Sequence, residues 1–375
     1  MLDKFNIKAD DVYYVCVMAT MSSGKSTFIN ALLGDEILPE KNEACTARAI
    51  SILNDNQATS QNVYVIKKNG NKGFVECESV HVMEKINGDD DVDEILVDMN
   101  IPNIQNIGKS LIIIDTPGVN NSEDIRHAQR TKSILEKMKK GLIIYLLNAT
   151  QLATNDDALL LQMVSDNVKK NPDLDVLFIL NKIDALDEDK ENIEDVVKDA
   201  KEYISDYGFK NANIYPLSAL DAKLLRLALQ GKKLTTTEQR KLKMIYREYR
   251  NTGKCMYRYS TVSKEVTGKY KNGEEYIENI DLASAIDNTG IIQIENEIEK
   301  RMLISQIESP ITKVDFNNYL EWEGVYSKKK KTKNKANYCG EVHWICKSCR
   351  QVNGENEDCL FCKEKNPFLK MKVMQ

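Results

Sequence analysis

The strongest constraint on the fold is an apolar run that stops at a glycine-lysine-serine loop. "VYYVCVMA" spans 12–19, "TMSSGKST" follows at 20–27, and "FINALLG" at 28–34. The first piece reads as a short buried strand. In the last, Phe28, Ile29, Leu32 and Leu33 recur at helical spacing, and Gly34 suits a helix C-terminus. Strand, loop and helix in that order turn successive backbone N–H groups toward an anion at the helix N-terminus. The full phosphate-loop pattern is Gly-x-x-x-x-Gly-Lys-Ser/Thr, and Ala19 stands where its first glycine belongs. Ser22, Ser23, Gly24 and Lys25 would form the cradle. Lys25 would meet the outer phosphates, Ser26 a magnesium ion, and Thr27 would lie beside them on the nucleotide.

Three more pieces follow in order. "LIIIDTPGV" (111–119) is a buried run ending in Asp-x-x-Gly. Ligands bind at such strand ends, so Asp115 would hold magnesium and the Gly118 N–H would sense a terminal phosphate. "VLFILNKID" (176–184) sets Asn181, Lys182 and Asp184 past another buried run. A carboxylate there accepts two hydrogen bonds from guanine, a pair of donors that adenine lacks, and the Lys182 stem would lie along the ring. "YPLSAL" (215–220) offers Ser218 and the Ala219 N–H to the base oxygen. Between the first and third pieces, "LPEKNEACTARAI" (38–50) carries Thr46, a loop threonine suited to magnesium and to positioning an attacking water.

Further short apolar runs at 48–53, 62–66, 94–101, 141–147 and 213–217 alternate with helical patterns at about 123–139, 154–169 and 189–207. That alternation predicts an α/β fold, with a mainly parallel sheet flanked by helices. From 220 to 310 the pattern is mostly helical and closes the domain. Its last helix, "TGIIQIENEIEKRML" (289–303), has Ile292, Ile294, Ile298 and Leu303 as an apolar face.

The ordered set "TMSSGKSTFINALLG", "LPEKNEACTA", "DTPGV", "NKID" and "TGIIQIE" resembles the GTPase domain of the dynamin family, over roughly residues 10–310. The resemblance implies GTP hydrolysis to GDP and phosphate with Mg2+, with Ser22, Lys25 and Thr46 as the catalytic set. Ser22 would help place a compensating K+ or Na+, and Thr46 would position the water. It also implies a GTP-dependent homodimer, head to head across the nucleotide, that completes the site. Two departures stand out: Met21 occupies a position where some members carry a polar residue, and no glutamine follows "DTPG". Slow hydrolysis by the monomer is the expectation.

Charge divides the chain. From Glu321 onward there are 12 Lys+Arg against 7 Asp+Glu, or +5, which leaves 40 against 50, or −10, for the rest. A linker (311–337) holding "SKKKKTKNK" therefore separates an acidic body from a cysteine-rich module at 338–366 and a tail at 367–375. In that module Cys346-x-x-Cys349 and Cys359-x-x-Cys362 are nine residues apart, a spacing for one tetrahedral Zn2+. Trp344 and Phe361 would fill its small core, while Cys339 stays free. This stretch resembles bacterial zinc ribbons and the zinc finger of Ran-binding nucleoporins. Its partner, protein or nucleic acid, stays open, as does peripheral membrane contact by the lysines.

The longest apolar runs are too short to span a bilayer and the amino terminus lacks an apolar leader, so the cytoplasm is expected. Two other readings stay open: a nucleotide-binding interaction module with negligible hydrolysis, and a nucleic-acid or anionic-surface binder acting through the basic tail.

Overall fold

The computed structural model describes residues 5, 7–40, 48–77, 79–118, 125–187, 189–250, 254–261, 282, 285–306, 343–345 and 352–354. They fall into two compact units, one ending at Met302 and one beginning at Leu303.

The first unit is built on nine strands in one sheet. In chain order they are β1 (Val12–Ala19), β2 (Ile50–Asn54), β3 (Asn62–Lys67), β4 (Lys72–Glu76) and β5 (Val92–Met99), then β6 (Ser110–Asp115), β7 (Gly141–Asn148), β8 (Leu174–Asn181) and β9 (Ile214–Leu217). Their order across the sheet is β4-β3-β5-β2-β6-β1-β7-β8-β9. From β6 to β9 every pairing is parallel. These strands are near-continuous apolar runs because helices cover both faces of a parallel sheet. β1, at the centre, keeps Val15, Cys16, Val17 and Met18 wholly out of solvent.

The sheet is mostly parallel, as expected, and in its other half the pairings are mixed, with β2 parallel to β5. β2 runs antiparallel to β6, and β3 runs antiparallel to both β4 and β5. For β3 and β4 the reason is local: residues 67–71 make a tight turn, with Lys67 N–H on Asn71 O at 2.8 Å and Gly70 N–H on Lys67 O at 2.8 Å. A hairpin this short can join only antiparallel neighbours.

The helices are α1 (Lys25–Leu33), α2 (Val80–Asn87), α3 (Ile125–Lys137), α4 (Asn155–Lys170), α5 (Ile193–Asp206), α6 (Ala219–Leu229), α7 (Thr236–Arg250) and α8 (Ile291–Ile304). Local chemistry sets their ends. Thr154 caps α4 by accepting the Asp157 N–H at 3.2 Å, with acids in its first turn and lysines in its last. Gly34 ends α1 in the left-handed region at φ 67°, as its place in the sequence predicts. Among the described residues no helix is long and apolar enough to cross a membrane.

α1, α6 and α8 are tied by a buried cation. Arg226 on α6 donates to Ala31 O at 2.6 Å and to Glu295 Oε2 at 2.7 Å, linking the end of the phosphate-loop helix to α8. Removing either member of such a pair strands the other's charge in the interior, so the three helices are strongly coupled in position.

Past residue 306 the structure describes one hairpin of the second unit, β10 (His343–Ile345) against β11 (Val352–Gly354), with Ile345 opposite Val352. Cys346 and Cys349 fall in the connection between these strands, but they, Cys359 and Cys362 lie outside the described residues.

Candidate nucleotide site

The five parallel strands deliver polar residues to one end of the sheet. β6 stops on Asp115, β7 on Asn148 and β8 on Asn181, while β1 runs into the loop at Thr20 and β9 into Ser218. Register aligns these ends: Val17 lies beside Asp115, Asn148 beside Asn181, and Asn181 beside Leu217. Strand carboxyl ends in such sheets are where ligands sit.

The loop from Thr20 to Gly24 folds on itself. Ser23 N–H reaches Thr20 O at 3.3 Å, and the Thr20 and Ser23 hydroxyls are 2.8 Å apart. The left-handed positions are Ser22 (φ 62°) and Gly24 (φ 85°). Ala19, in the first glycine's place, is the last residue of β1 and paired with Leu146, so nothing there requires a glycine. Gly24 is different. A Cβ on it would come 2.5 Å from Asn181 Nδ2, and its φ already disfavours any other residue.

Lys25 starts α1 and is nearly buried, with its ammonium on Asp115 Oδ1. Burial pushes the Asp115 carboxyl up from its ordinary pKa and the Lys25 ammonium pulls it partly back. The other oxygen, Asp115 Oδ2, is buried with no hydrogen-bond partner. An orphaned, buried carboxylate oxygen at this strand end fits a hard, oxygen-seeking ion such as magnesium. Ser26, half-buried on the first turn of α1, has a hydroxyl. Thr27 has another engagement: its hydroxyl donates to Glu40 Oε2 at 2.9 Å.

Thr116 Oγ1 donates to Val17 O at 2.8 Å, and Thr131 Oγ1 to Pro117 O at 3.0 Å, so the segment after β6 is held against β1 and α3. Gly118 comes close to the loop; a Cβ built on it would be 3.8 Å from Met21 Cα. Thr46 lies outside the described residues.

The segments after β8 and β9 interlock with the loop after β1. Asn181 Nδ2 donates to Ser23 O at 2.9 Å while its Oδ1 accepts the Ala219 N–H at 3.1 Å. Asn181 thus ties the phosphate loop to the start of α6, and the Ala219 N–H, expected to face the base, is held by this amide. Ser218 Oγ donates to Asp184 Oδ1 at 2.8 Å, fixing the carboxylate from the side. Lys182 adopts φ 67°, and its Cε lies 4.0 Å from where a Gly24 Cβ would be. Ser22 and Lys182 are two of the three non-glycine residues with left-handed backbone among those described. Strained backbone held at the two loops that converge here marks a functional end of the sheet.

Sequence reading missed two neighbours. Asp221, nearly buried in the first turn of α6, has its carboxyl raised to about 6, by burial first and then by the nearby Asp184. Lys223 is buried between Glu36 Oε1 at 2.8 Å and Glu40 Oε1 at 3.0 Å, while Asn30 Nδ2 also donates to Glu40 Oε1 at 2.8 Å. Residues 36–40 are thereby fixed to α1 and α6. No spacing rule could find a contact between residues so distant in sequence. Cys16, behind the loop in β1, is no nucleophile: burial pushes its thiol up to about 12. Among the described residues no group of three or more His, Cys, Asp or Glu could hold a metal ion.

Residues 15–183 match the sequence pattern of the dynamin family. An uncharacterized protein in the xynA 3' region of Caldicellulosiruptor sp. is 24% identical over 315 residues, covering 83% of this chain and 70% of that protein. A bacterial dynamin-like protein of Nostoc punctiforme is 27% identical over 197 residues, covering 49% of this chain and 27% of its own length. A solved structure of an oligomerised bacterial dynamin pair is similar with a TM-score of 0.43 and 18% identity, over 86% of this chain and 46% of that one. The aligned stretches thus cover less than half of either dynamin. The family match covers less than half of this chain and lies on an α/β fold with a mostly parallel sheet flanked by helices.

Proposed function

We propose, from the dynamin-family match, that this chain binds guanine nucleotides at the carboxyl ends of its parallel strands and hydrolyses GTP as a dimerising switch. The observation that carries the reading is the bridge made by Asn181, which joins the phosphate loop at Ser23 to the base loop at Ala219. Two loops built for different parts of one nucleotide are locked at fixed separation, which is the positioning that phosphoryl transfer requires.

The residues take the following roles. Backbone N–H groups of Ser22 to Lys25 cradle the phosphates, and the Lys25 ammonium turns from Asp115 to the outer ones. Ser26 and Asp115 would hold magnesium, with Thr46, and the ion would neutralise charge on the phosphate oxygens. Gly118 donates to the terminal phosphate. Asp184, fixed by Ser218, accepts from the guanine ring, and Lys182 covers it. Thr46 orients the attacking water, and Ser22 supports a K+ or Na+ ion. The second unit acts as a docking module, in which Cys346, Cys349, Cys359 and Cys362 would hold Zn2+. The β10–β11 hairpin around the first cysteine pair supports that reading.

No glutamine follows "DTPG", and Met21, whose backbone lies close to Gly118, has an apolar side chain. A second copy is therefore needed for efficient turnover. Hydrolysis of GTP per molecule should rise with protein concentration, and the particle should double in size with GDP and aluminium fluoride. Turnover that stays constant over a wide concentration range removes the dimer from the account. A single-turnover rate no faster than uncatalysed hydrolysis favours a nucleotide-binding module instead.

A further inference from the structure

An open sheet has two edges, and here they are treated differently. At one edge β9 is buried along its whole length. Ile214 N–H donates to Thr261 Oγ1 at 2.7 Å, and Ile214 O accepts the Thr261 N–H at 3.2 Å. Two residues on, Pro216 has no N–H to offer, and a Cβ on Gly290 would come within 2.4 Å of Pro216 O. That edge is closed. β4, at the other edge, is exposed at Lys72, Phe74, Val75 and Glu76. Phe74 is 58% exposed and Val75 40%, and among the described exposed large hydrophobics they alone are neighbours in sequence.

The register of β3 against β4 fixes which backbone groups β4 turns outward. Cys77 N–H donates to Gln61 O and Lys67 N–H to Asn71 O, each at 2.8 Å. Bonded and non-bonded pairs alternate along an antiparallel ladder, so Gly73 and Val75 direct their N–H and C=O to β3. Lys72, Phe74 and Glu76 point theirs away from it. Side chains alternate too, so these same three residues share one face of the sheet. Lys72 and Glu76 lie about 13 Å apart along the strand, too far to pair with each other. Their order, cation then aromatic then anion, is its own complement when a second strand runs the other way.

We propose that β4 pairs edge to edge with β4 of a second copy of this chain, antiparallel about a two-fold axis at Phe74. Phe74 then faces its own counterpart, and Lys72 of each copy faces Glu76 of the other, with their outward N–H and C=O groups meeting as bonded pairs. On one face the two Phe74 rings lie between two ion pairs and extend the contact that Phe74 makes with Tyr64 at 5.1 Å. On the other face Val75 of each copy lies opposite Gly73, which leaves room for it. A register shifted by two residues sets a charged residue against Phe74 and loses the match. Lysine and short length guard an open edge against chance strands. Here the lysine has a glutamate at the matching distance, so the guard excludes other strands and admits a second copy. The pairing uses no residue of the nucleotide site and stands without that reading.

Sedimentation velocity of the full chain without nucleotide tests the proposal. Wild type should show a concentration-dependent equilibrium between monomer and dimer. Lys72→Glu and Glu76→Lys each turn the attractions across the axis into repulsions, so either alone should weaken dimerisation by about thirtyfold. Thermal unfolding midpoints of both should stay at the wild-type value, because neither side chain is buried. Mixed in equal amounts, the two variants should recover wild-type dimerisation as a heterodimer, since every charge again faces its opposite. A wild type that stays monomeric at every concentration overturns the proposal. So do single reversals that dimerise like wild type, or a mixture that does not recover. A dimer that forms only with GDP and aluminium fluoride belongs to the nucleotide site and overturns it as well.

Discussion

The sheet has two halves that obey different rules. The parallel half, β6-β1-β7-β8-β9, ends in Asp115, Thr20, Asn148, Asn181 and Ser218, and its side chains at that end are tied to one another across loops. The mixed half, β2-β5-β3-β4, contributes packing. Leu53 and Leu96 share a buried cluster with Val12 and Ile112, and Tyr64 packs edge-on against Phe5 at 5.4 Å and tilted against Phe74 at 5.1 Å. Only a run of parallel strands brings several carboxyl ends, and the loops after them, to one place. Polar strand ends therefore collect in one half, and the other extends the core.

Substitutions can break that division or sharpen it. The largest effect belongs to Lys25→Ala, which removes the cation from the strand ends and leaves Asp115 buried without its partner. GTP hydrolysis should fall by about a thousandfold, about 4 kcal/mol in the transition state, in a single-turnover assay. Leu96→Ala, in the packing half, should cost about 3 kcal/mol of stability in a denaturant melt. Nucleotide affinity should hold at the wild-type value, and a matching loss of affinity would erase the distinction between the halves. Gly24→Ala sets a Cβ against Asn181 in a left-handed backbone, so nucleotide affinity should weaken by about 2 kcal/mol, about thirtyfold. Equilibrium binding of a fluorescent GDP checks it.

Asp221→Asn gives the smallest change, and it depends on pH. The unfolded carboxyl ionises at its ordinary 3.8, the folded one at about 6. An acid whose folded pKa is raised holds its proton more tightly when folded, so wild-type stability falls as pH rises across that window and stays lower above it. Part of the penalty is offset by the N-terminal end of α6, which favours negative charge. The variant should be more stable than wild type by about 1 to 2 kcal/mol at pH 7.5, with the gap closing at pH 4. Melts at both values settle the sign.

The strands of the parallel half were legible because each is a continuous apolar run between turn residues, and the order of motifs pointed to their carboxyl ends. The antiparallel half was harder to read. β4, "KGFVE", is a short edge strand with a glycine and charged ends, and only its hairpin partner makes it a strand. Asn69-Gly70 in the turn before it was the available signal. α2, "VHVMEKIN", is too short for its periodicity to stand out. At the site, Gly24, Lys25, Asp115 and Asp184 could be named from spacing alone. Spacing did not show that the Ala219 N–H goes to Asn181, because that depends on where two strand ends meet. The clasp of Lys223 on Glu36 and Glu40 was equally invisible, since charged residues on exposed-looking helices carry no mark of burial.

The central claim is that Asp184, held by Ser218 at the end of β8, selects guanine. Competition of GTP, ATP and XTP for a fluorescent guanine nucleotide, on wild type and Asp184→Asn, tests it directly. The account predicts that wild type prefers GTP over both others and that Asp184→Asn moves the preference to XTP. Unchanged GTP affinity in Asp184→Asn, or a wild type that binds ATP as well as GTP, would contradict it.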